Sequence, residues 1–397
     1  MVHRATNWQL LRAVLSTPQI ALARPSVNYF LYRYLKKFRI LDIDGNLVIH
    51  SHLPPLNSRA YARFVKEHLL AKIPGPSHAQ IGVTSACPQH CAYCYNKDRS
   101  GRPLNQEAIL RTIRELQELG VFWLGLTGGE PLLNRDLTCI VEYASRNCAV
   151  KLFTTGCTLT PPLARDLHNA GLFSVAVSLD SCREEEHDRA RGCKGAYRAA
   201  LRAIELFLSI PGMHVSVSAV LPPGLLLLET AEQFLEFLRG LGIHEAWLSE
   251  AKPAVAACQK EELIITSEQR AMLMTLQDRC NREGGMTVNY LGHFEDGSHF
   301  GCSAGKKMVY VDAFGEVSPC VFIPMTFGNV QRTPLREIYS RMAAHFPGEK
   351  SCFINRNYHT LQTFRPAGSP VIDAEATRVM DEITFGPQAR FFELQYH

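Results

Sequence analysis

From about residue 78 the sequence alternates short, apolar, β-branched runs with longer amphipathic ones, and this alternation limits the fold more than any other feature. The pattern predicts strands at 80–84, 121–127, 150–154, 173–179, 214–221 and 243–249. It predicts helices at 104–119, 135–147, 161–170, 195–208 and 229–241. Gly120, Gly171 and Gly242 each follow one of these helices closely, where glycine favours a stop. Short links between strand and helix require parallel strands joined by crossover helices. The pattern fits an open barrel or a doubly wound sheet, and in either one the chemistry gathers at the C-terminal ends of the strands.

Two motifs land on that edge. Cys87, Cys91 and Cys94 follow the first strand in the stretch CPQHCAYC, and Gly128-Gly129-Glu130-Pro131 follows the second. Three thiolates in one compact loop can bind three irons of a four-iron cluster and leave the fourth without a protein ligand. A zinc site competes for the same residues, with His90 as a fourth ligand, because structural zinc asks for four closed donors.

The chain has thirteen cysteines and no secretory-type leader at its N-terminus, which points to metal or redox chemistry in a cytoplasmic setting rather than to a disulfide framework. A net charge of +4 is too weak for a nucleic-acid surface, so no nucleic-acid partner is expected. No apolar run is long enough to cross a bilayer; the longest, near 221–228, is broken by Pro222, Pro223 and Gly224.

Residues 1–75 have their own character. Trp8, Leu10, Leu11, Val14 and Leu15 recur at roughly helical spacing, and 29–40 mixes aromatics and leucines with Arg33, Lys36, Lys37 and Arg39. Two readings stay open: a basic amphipathic helix making peripheral contact with a membrane or a greasy substrate, and a surface helix packed on the main domain. Runs 38–42 and 47–50 flank Asp44-Gly45-Asn46 and predict a hairpin.

The cysteine spacing, with the aromatic Tyr93 before the third cysteine, resembles the signature of the radical S-adenosylmethionine superfamily, and the likeness runs over about 78–250. It implies a partial (β/α)6 barrel within the α/β class, a [4Fe-4S] cluster and S-adenosylmethionine as cofactors. It also implies reductive cleavage of that cofactor to a 5'-deoxyadenosyl radical that abstracts a hydrogen atom from the substrate. By the same resemblance the cofactor contacts are Tyr93, Gly128, Gly129, Glu130, Pro131, Thr155, Ser178, Asp180, Arg191 and Leu221. Arg191 is expected on the cofactor carboxylate, since a guanidinium fork suits that group, and Leu221 against the adenine. No catalytic residue is assigned on the protein itself.

Cys302, Cys320 and Cys352 in the tail, with Phe327-Gly328-Asn329-Val330, resemble the SPASM and Twitch type of C-terminal extension. This implies a second, auxiliary iron–sulfur cluster held by those three, with Cys258 or Cys280 as a candidate fourth ligand. The expected divisions are 1–75 for a helix and hairpin region, 76–255 for the partial barrel and 256–397 for the Twitch-like extension. Relatives of this type often begin with a small winged-helix-like recognition domain. The leading expectation is an enzyme that modifies a ribosomal peptide, with a flavodoxin or ferredoxin as reductant. Radical modification of a lipid or small metabolite is an alternative, and a non-catalytic iron–sulfur electron carrier or binding protein is another.

Overall fold

The computed structural model describes residues 3–4, 6, 8–9, 11, 15, 17–221, 227–260, 263–294, 300–365 and 370–396. Leu10 and Val14 of the expected first helix, and the break at Pro222, Pro223 and Gly224, lie outside them.

The main sheet has nine strands: β1 His78–Gly82, β2 Trp123–Thr127, β3 Ala149–Thr154, β4 Leu172–Ser178, β5 His214–Leu221, β6 Glu245–Glu250, β7 Thr287–Tyr290, β8 Met308–Val311 and β9 Val317–Ser318. Their order across the sheet is β7-β6-β5-β4-β3-β2-β1-β8-β9. Every neighbouring pair is parallel except β8 and β9, which form an antiparallel hairpin. The six expected strands are therefore present in chain order as one parallel run. Their apolar residues pack against the crossover helices in one continuous core, with Ile81, Leu124, Leu126, Leu152, Val175 and Val217 all fully buried.

The C-terminal extension widens this sheet at both margins. β7 adds beside β6, and β8 adds beside β1, with Tyr310 opposite Gln80. A helix the periodicity missed, Glu184–Arg191, sits between β4 and the helix Ala196–Leu208. Its sequence EEEHDRAR has no apolar stripe. Glutamates in its first turn and arginines in its last instead suit the helix dipole.

The N-terminal region carries the expected hairpin, Leu41–Ile43 with Asn46–Val48, and His3–Arg4 adds to it as a third strand. The segment just after it closes the floor of the barrel, where the strands begin. Ser51 accepts at its carbonyl from Trp123 Nε1 (2.6 Å) and donates its amide to Glu245 (2.8 Å), and its hydroxyl takes a hydrogen bond from Lys151. His78 hydrogen-bonds the His52 carbonyl at 2.8 Å. Lys151 lies 4.2 Å from the ring centre of Trp247. A buried lysine and glutamate are costly unless each is paired, and here the segment 50–52 supplies partners to both. No helix among the described residues is long and apolar enough to cross a membrane.

Candidate active site

The cysteine loop and the glycine tetrad leave adjacent parallel strands and are joined by backbone hydrogen bonds. Gly129 donates to the Thr84 carbonyl and Glu130 to the Ala86 carbonyl, each at 2.7 Å. A Cβ on Gly128 would meet Thr84 O at 2.3 Å, and one on Gly129 would meet Ala86 O at 2.1 Å. Gly128 also has φ +123°, a conformation that L side chains rarely adopt. Close approach of one loop to the other is thus what demands both glycines.

The Glu130 carboxylate is fully buried and accepts four hydrogen bonds. Oε1 takes Thr154 Oγ1 (2.6 Å) and the Leu132 amide (3.0 Å); Oε2 takes the Thr155 amide and hydroxyl, both at 2.6 Å. Burial raises its pKa while these donors pull it back down. The tetrad is in this way fastened to the end of β3.

At the end of β4, Asp180 gathers three groups. Arg191 approaches it through Nε and NH2, each at 2.7 Å; Tyr93 donates its hydroxyl; and the Val220 amide donates at 2.9 Å. The Arg191 carbonyl accepts from the His90 amide at 2.9 Å, inside the cysteine loop. Within the chain, the carboxylate that pairs with Arg191 is Asp180. Asp180 is the carboxylate on the adjoining turn; NH2 donates to it, while the buried Nε makes no hydrogen bond of its own.

These elements line one cavity of about 380 Å³. Of the expected contacts, Tyr93, Gly128, Gly129, Glu130, Thr155, Ser178 and Arg191 stand on its wall; Pro131, Asp180 and Leu221 do not. Leu221 corrects the reading. It is 1 % exposed and belongs to the core beneath the helices, while Ser218 and Val220 face the cavity. Successive side chains on a strand point to opposite faces, so Val220 rather than Leu221 faces the cavity.

All six cysteines singled out in the sequence, Cys87, Cys91, Cys94, Cys302, Cys320 and Cys352, line this same cavity. Cys258 and Cys280 do not; each is 4 % exposed and stands away from that wall. Burial pushes the Cys87 thiol up to about 11 and raises Cys91 and Cys94 too. Arg191 offsets part of that rise at Cys91. The three half-buried thiols line the same cavity, a donor set that suits an iron–sulfur cluster. Among the described residues no three His, Cys, Asp or Glu side chains converge on a single-ion site.

Sequence reasoning missed a second polar group at the rim. Glu250, the last residue of β6, accepts from Lys252 (2.9 Å), Arg270 (3.1 Å), Asn355 (2.7 Å) and Tyr290 (2.6 Å). Burial alone would raise its pKa, but Lys252, Arg270 and the Tyr290 hydroxyl hold it down at about 2. Glu250 and Lys252 both line the cavity. Only their position at the end of the sixth strand signalled this, because their partners come from three later elements.

Comparison with known proteins agrees with this geometry. Residues 81–238 match the radical SAM superfamily, and residues 302–358 match an iron–sulfur cluster-binding domain, SPASM. The chain belongs to the radical SAM superfamily. It is a SPASM-type member, and its cofactors are S-adenosylmethionine with a [4Fe-4S] cluster and, in the second domain, auxiliary iron–sulfur. This radical SAM protein is 26 % identical to the AdoMet-dependent heme synthase of Methanosarcina barkeri, over 65 % of this chain and 80 % of that one. It is 27 % identical to the PqqA peptide cyclase of Methylocella silvestris, over 68 % and 75 %. The fold is similar to that of Streptococcus suis SuiB bound to its precursor peptide SuiA, with a TM-score of 0.58 at 15 % identity, covering 79 % of each chain.

Proposed function

We propose that this radical SAM protein modifies a ribosomally made peptide. The observation that carries the reading is the placement of both cysteine triads on one cavity, in a chain similar to a peptide cyclase. Cys87, Cys91 and Cys94 would hold the cluster that engages S-adenosylmethionine, and Cys302, Cys320 and Cys352 would hold auxiliary iron–sulfur. When bound, these groups supply one-electron cleavage of the cofactor and hydrogen-atom abstraction.

The chain's own residues have positioning tasks. Glu130 brings negative charge to the wall where the cofactor's ammonium would lie. Asp180, Arg191 and Tyr93 fix the cysteine loop against the end of β4 and leave it little freedom to move. Trp123, Phe153 and Trp247 line the interior below and keep water out. In this reading 1–75 closes the floor, 76–255 holds the cofactor and 256–397 supplies the auxiliary site. A flavodoxin or ferredoxin would deliver electrons in the cytoplasm, where thiols stay reduced.

A lipid or small apolar metabolite is the second reading. Leu53, Phe64, Phe300, Phe391 and Phe392 give the cavity a largely apolar lower wall.

Anaerobically reconstituted protein with dithionite should convert S-adenosylmethionine to 5'-deoxyadenosine; failure with a full iron complement overturns the enzyme reading. The triple variant Cys87→Ala/Cys91→Ala/Cys94→Ala should lose that conversion and keep part of its iron. Mass spectrometry of precursor peptides incubated with the enzyme tests the substrate class: a mass change in a peptide supports it. Change only in an apolar metabolite transfers the proposal to the second reading.

A further inference from the structure

Residues 1–41 contain seven Lys or Arg side chains and no Asp or Glu; the first acid in the chain is Asp42. The chain as a whole is only +4, so the remainder carries more acids than bases. Among the described residues the same stretch holds most of the exposed large apolar side chains. Of the ten large apolar or aromatic side chains exposed among the described residues, six are Trp8, Leu11, Leu15, Leu22, Tyr29 and Tyr32.

The helix Pro25–Leu35 divides these properties between its faces. Val27, Phe30, Leu31 and Tyr34 are buried inward, with Phe30 against Phe300 and Phe391. Tyr29 and Tyr32, 63 % and 65 % exposed, point outward with Arg33 and, just past the helix end, Lys36. Spacings of three and four residues put these four on one outer face. Trp8, Leu11 and Leu15 are helical, exposed and spaced in the same way. The neighbouring helix Arg390–Tyr396 brings one acid, Glu393, but Arg390 pairs with it at 3.0 Å.

We propose that this N-terminal surface docks the protein on an anionic lipid membrane. Exposed Trp, Tyr and Leu in one stretch with Lys and Arg match the chemistry of a bilayer interface; the acid that follows that stretch, Asp42, is engaged by Gln9. There aromatic rings settle at headgroup depth and cations meet lipid phosphates. An acidic protein partner would answer the charges but leave the exposed leucines without a role. The buried face of the same helix carries Tyr34, which reaches the cavity wall, so the docked surface and the reaction chamber share one element. The inference does not depend on whether the substrate is a peptide.

Co-sedimentation of the full, iron-loaded chain with vesicles tests it. Protein should pellet with vesicles of equimolar phosphatidylglycerol and phosphatidylcholine, and not with pure phosphatidylcholine or in high salt. Arg33→Glu/Lys36→Glu should lower the bound fraction by about tenfold, and Tyr29→Ser/Tyr32→Ser should lower it as well, with iron content and 5'-deoxyadenosine formation unchanged. Absence of binding to anionic vesicles overturns the proposal. So does binding that both variants leave intact, or a dimer in solution that Tyr29→Ser/Tyr32→Ser dissociates while vesicles are ignored.

Discussion

The Arg99 guanidinium lies 3.2 Å from the Asp312 carboxylate, and both side chains are only 3 % exposed. Arg99 belongs to the segment just after the Cys87–Cys94 loop, and Asp312 directly follows β8 of the C-terminal extension. Arg99 also donates to Ser318 on β9 at 3.1 Å. Close by, Tyr310 donates to Asn96 at 2.7 Å, and Asn96 donates to the Gly128 carbonyl at 2.6 Å. One buried network therefore ties the first cysteine loop, the glycine tetrad and the extension that carries the second cysteine set.

Removing one member of that pair leaves a charge buried without its partner. Arg99→Met should cost about 3–5 kcal/mol, read as a lower denaturant midpoint. Arg99→Met/Asp312→Leu should recover part of the loss, because no lone charge remains. Equal stability of the single and double variants would count against the network.

The glycine tetrad offers a steric test. Gly129→Ala places a methyl carbon 2.1 Å from the Ala86 carbonyl oxygen, and backbone must shift to relieve it. Iron bound after anaerobic reconstitution should fall in this variant, while Gly240→Ala, with open space around it, should bind iron as wild type does. Equal iron in the two variants would show that the loops tolerate separation.

Val220 and Leu221 separate cavity from core. Leu221→Ala should destabilise the fold by about 2–4 kcal/mol, measured by chemical unfolding, with the Km for S-adenosylmethionine little changed. Val220→Trp, on the cavity wall, should raise that Km at least several-fold with a smaller effect on stability. The reverse pattern would mean the strand register is wrong.

Acid should release the floor of the barrel. Burial lowers His50 to about 4, His78 to about 4 and His214 to about 3, from 6.5. Glu245 is held at about 2 despite its burial, chiefly by Lys151. Each of these groups binds protons more readily in the unfolded chain than in the folded one. Their contributions are therefore complete above the unfolded values and are lost as pH falls toward the folded ones. Thermal stability should drop between pH 6.5 and 4 by on the order of a few kcal/mol. Fluorescence of Trp123, whose ring lies against His78, should report the transition. A flat stability curve over that window would contradict the buried, neutral state of these histidines.

The sequence by itself determined the parallel run of six strands, both cysteine sets and the position of the Gly128–Pro131 tetrad. Each is written in local signals: periodicity, a turn residue or a cysteine gap. It also singled out Ser178 and Arg191, both of which line the cavity. Tertiary structure alone decided which side of β5 meets the cavity, that Asp180 pairs with Arg191, and that Glu250 draws three of its four donors from distant elements. It alone decided that β8 joins β1, so that both cysteine sets share one chamber, and that Ser51 locks the floor. The physical reason is that a strand's pattern records that a residue is buried, not what it is buried against. Pairings between residues 11 to 230 positions apart are selected by sheet order and by the need to satisfy every buried charge, and neither is encoded in any single stretch of chain.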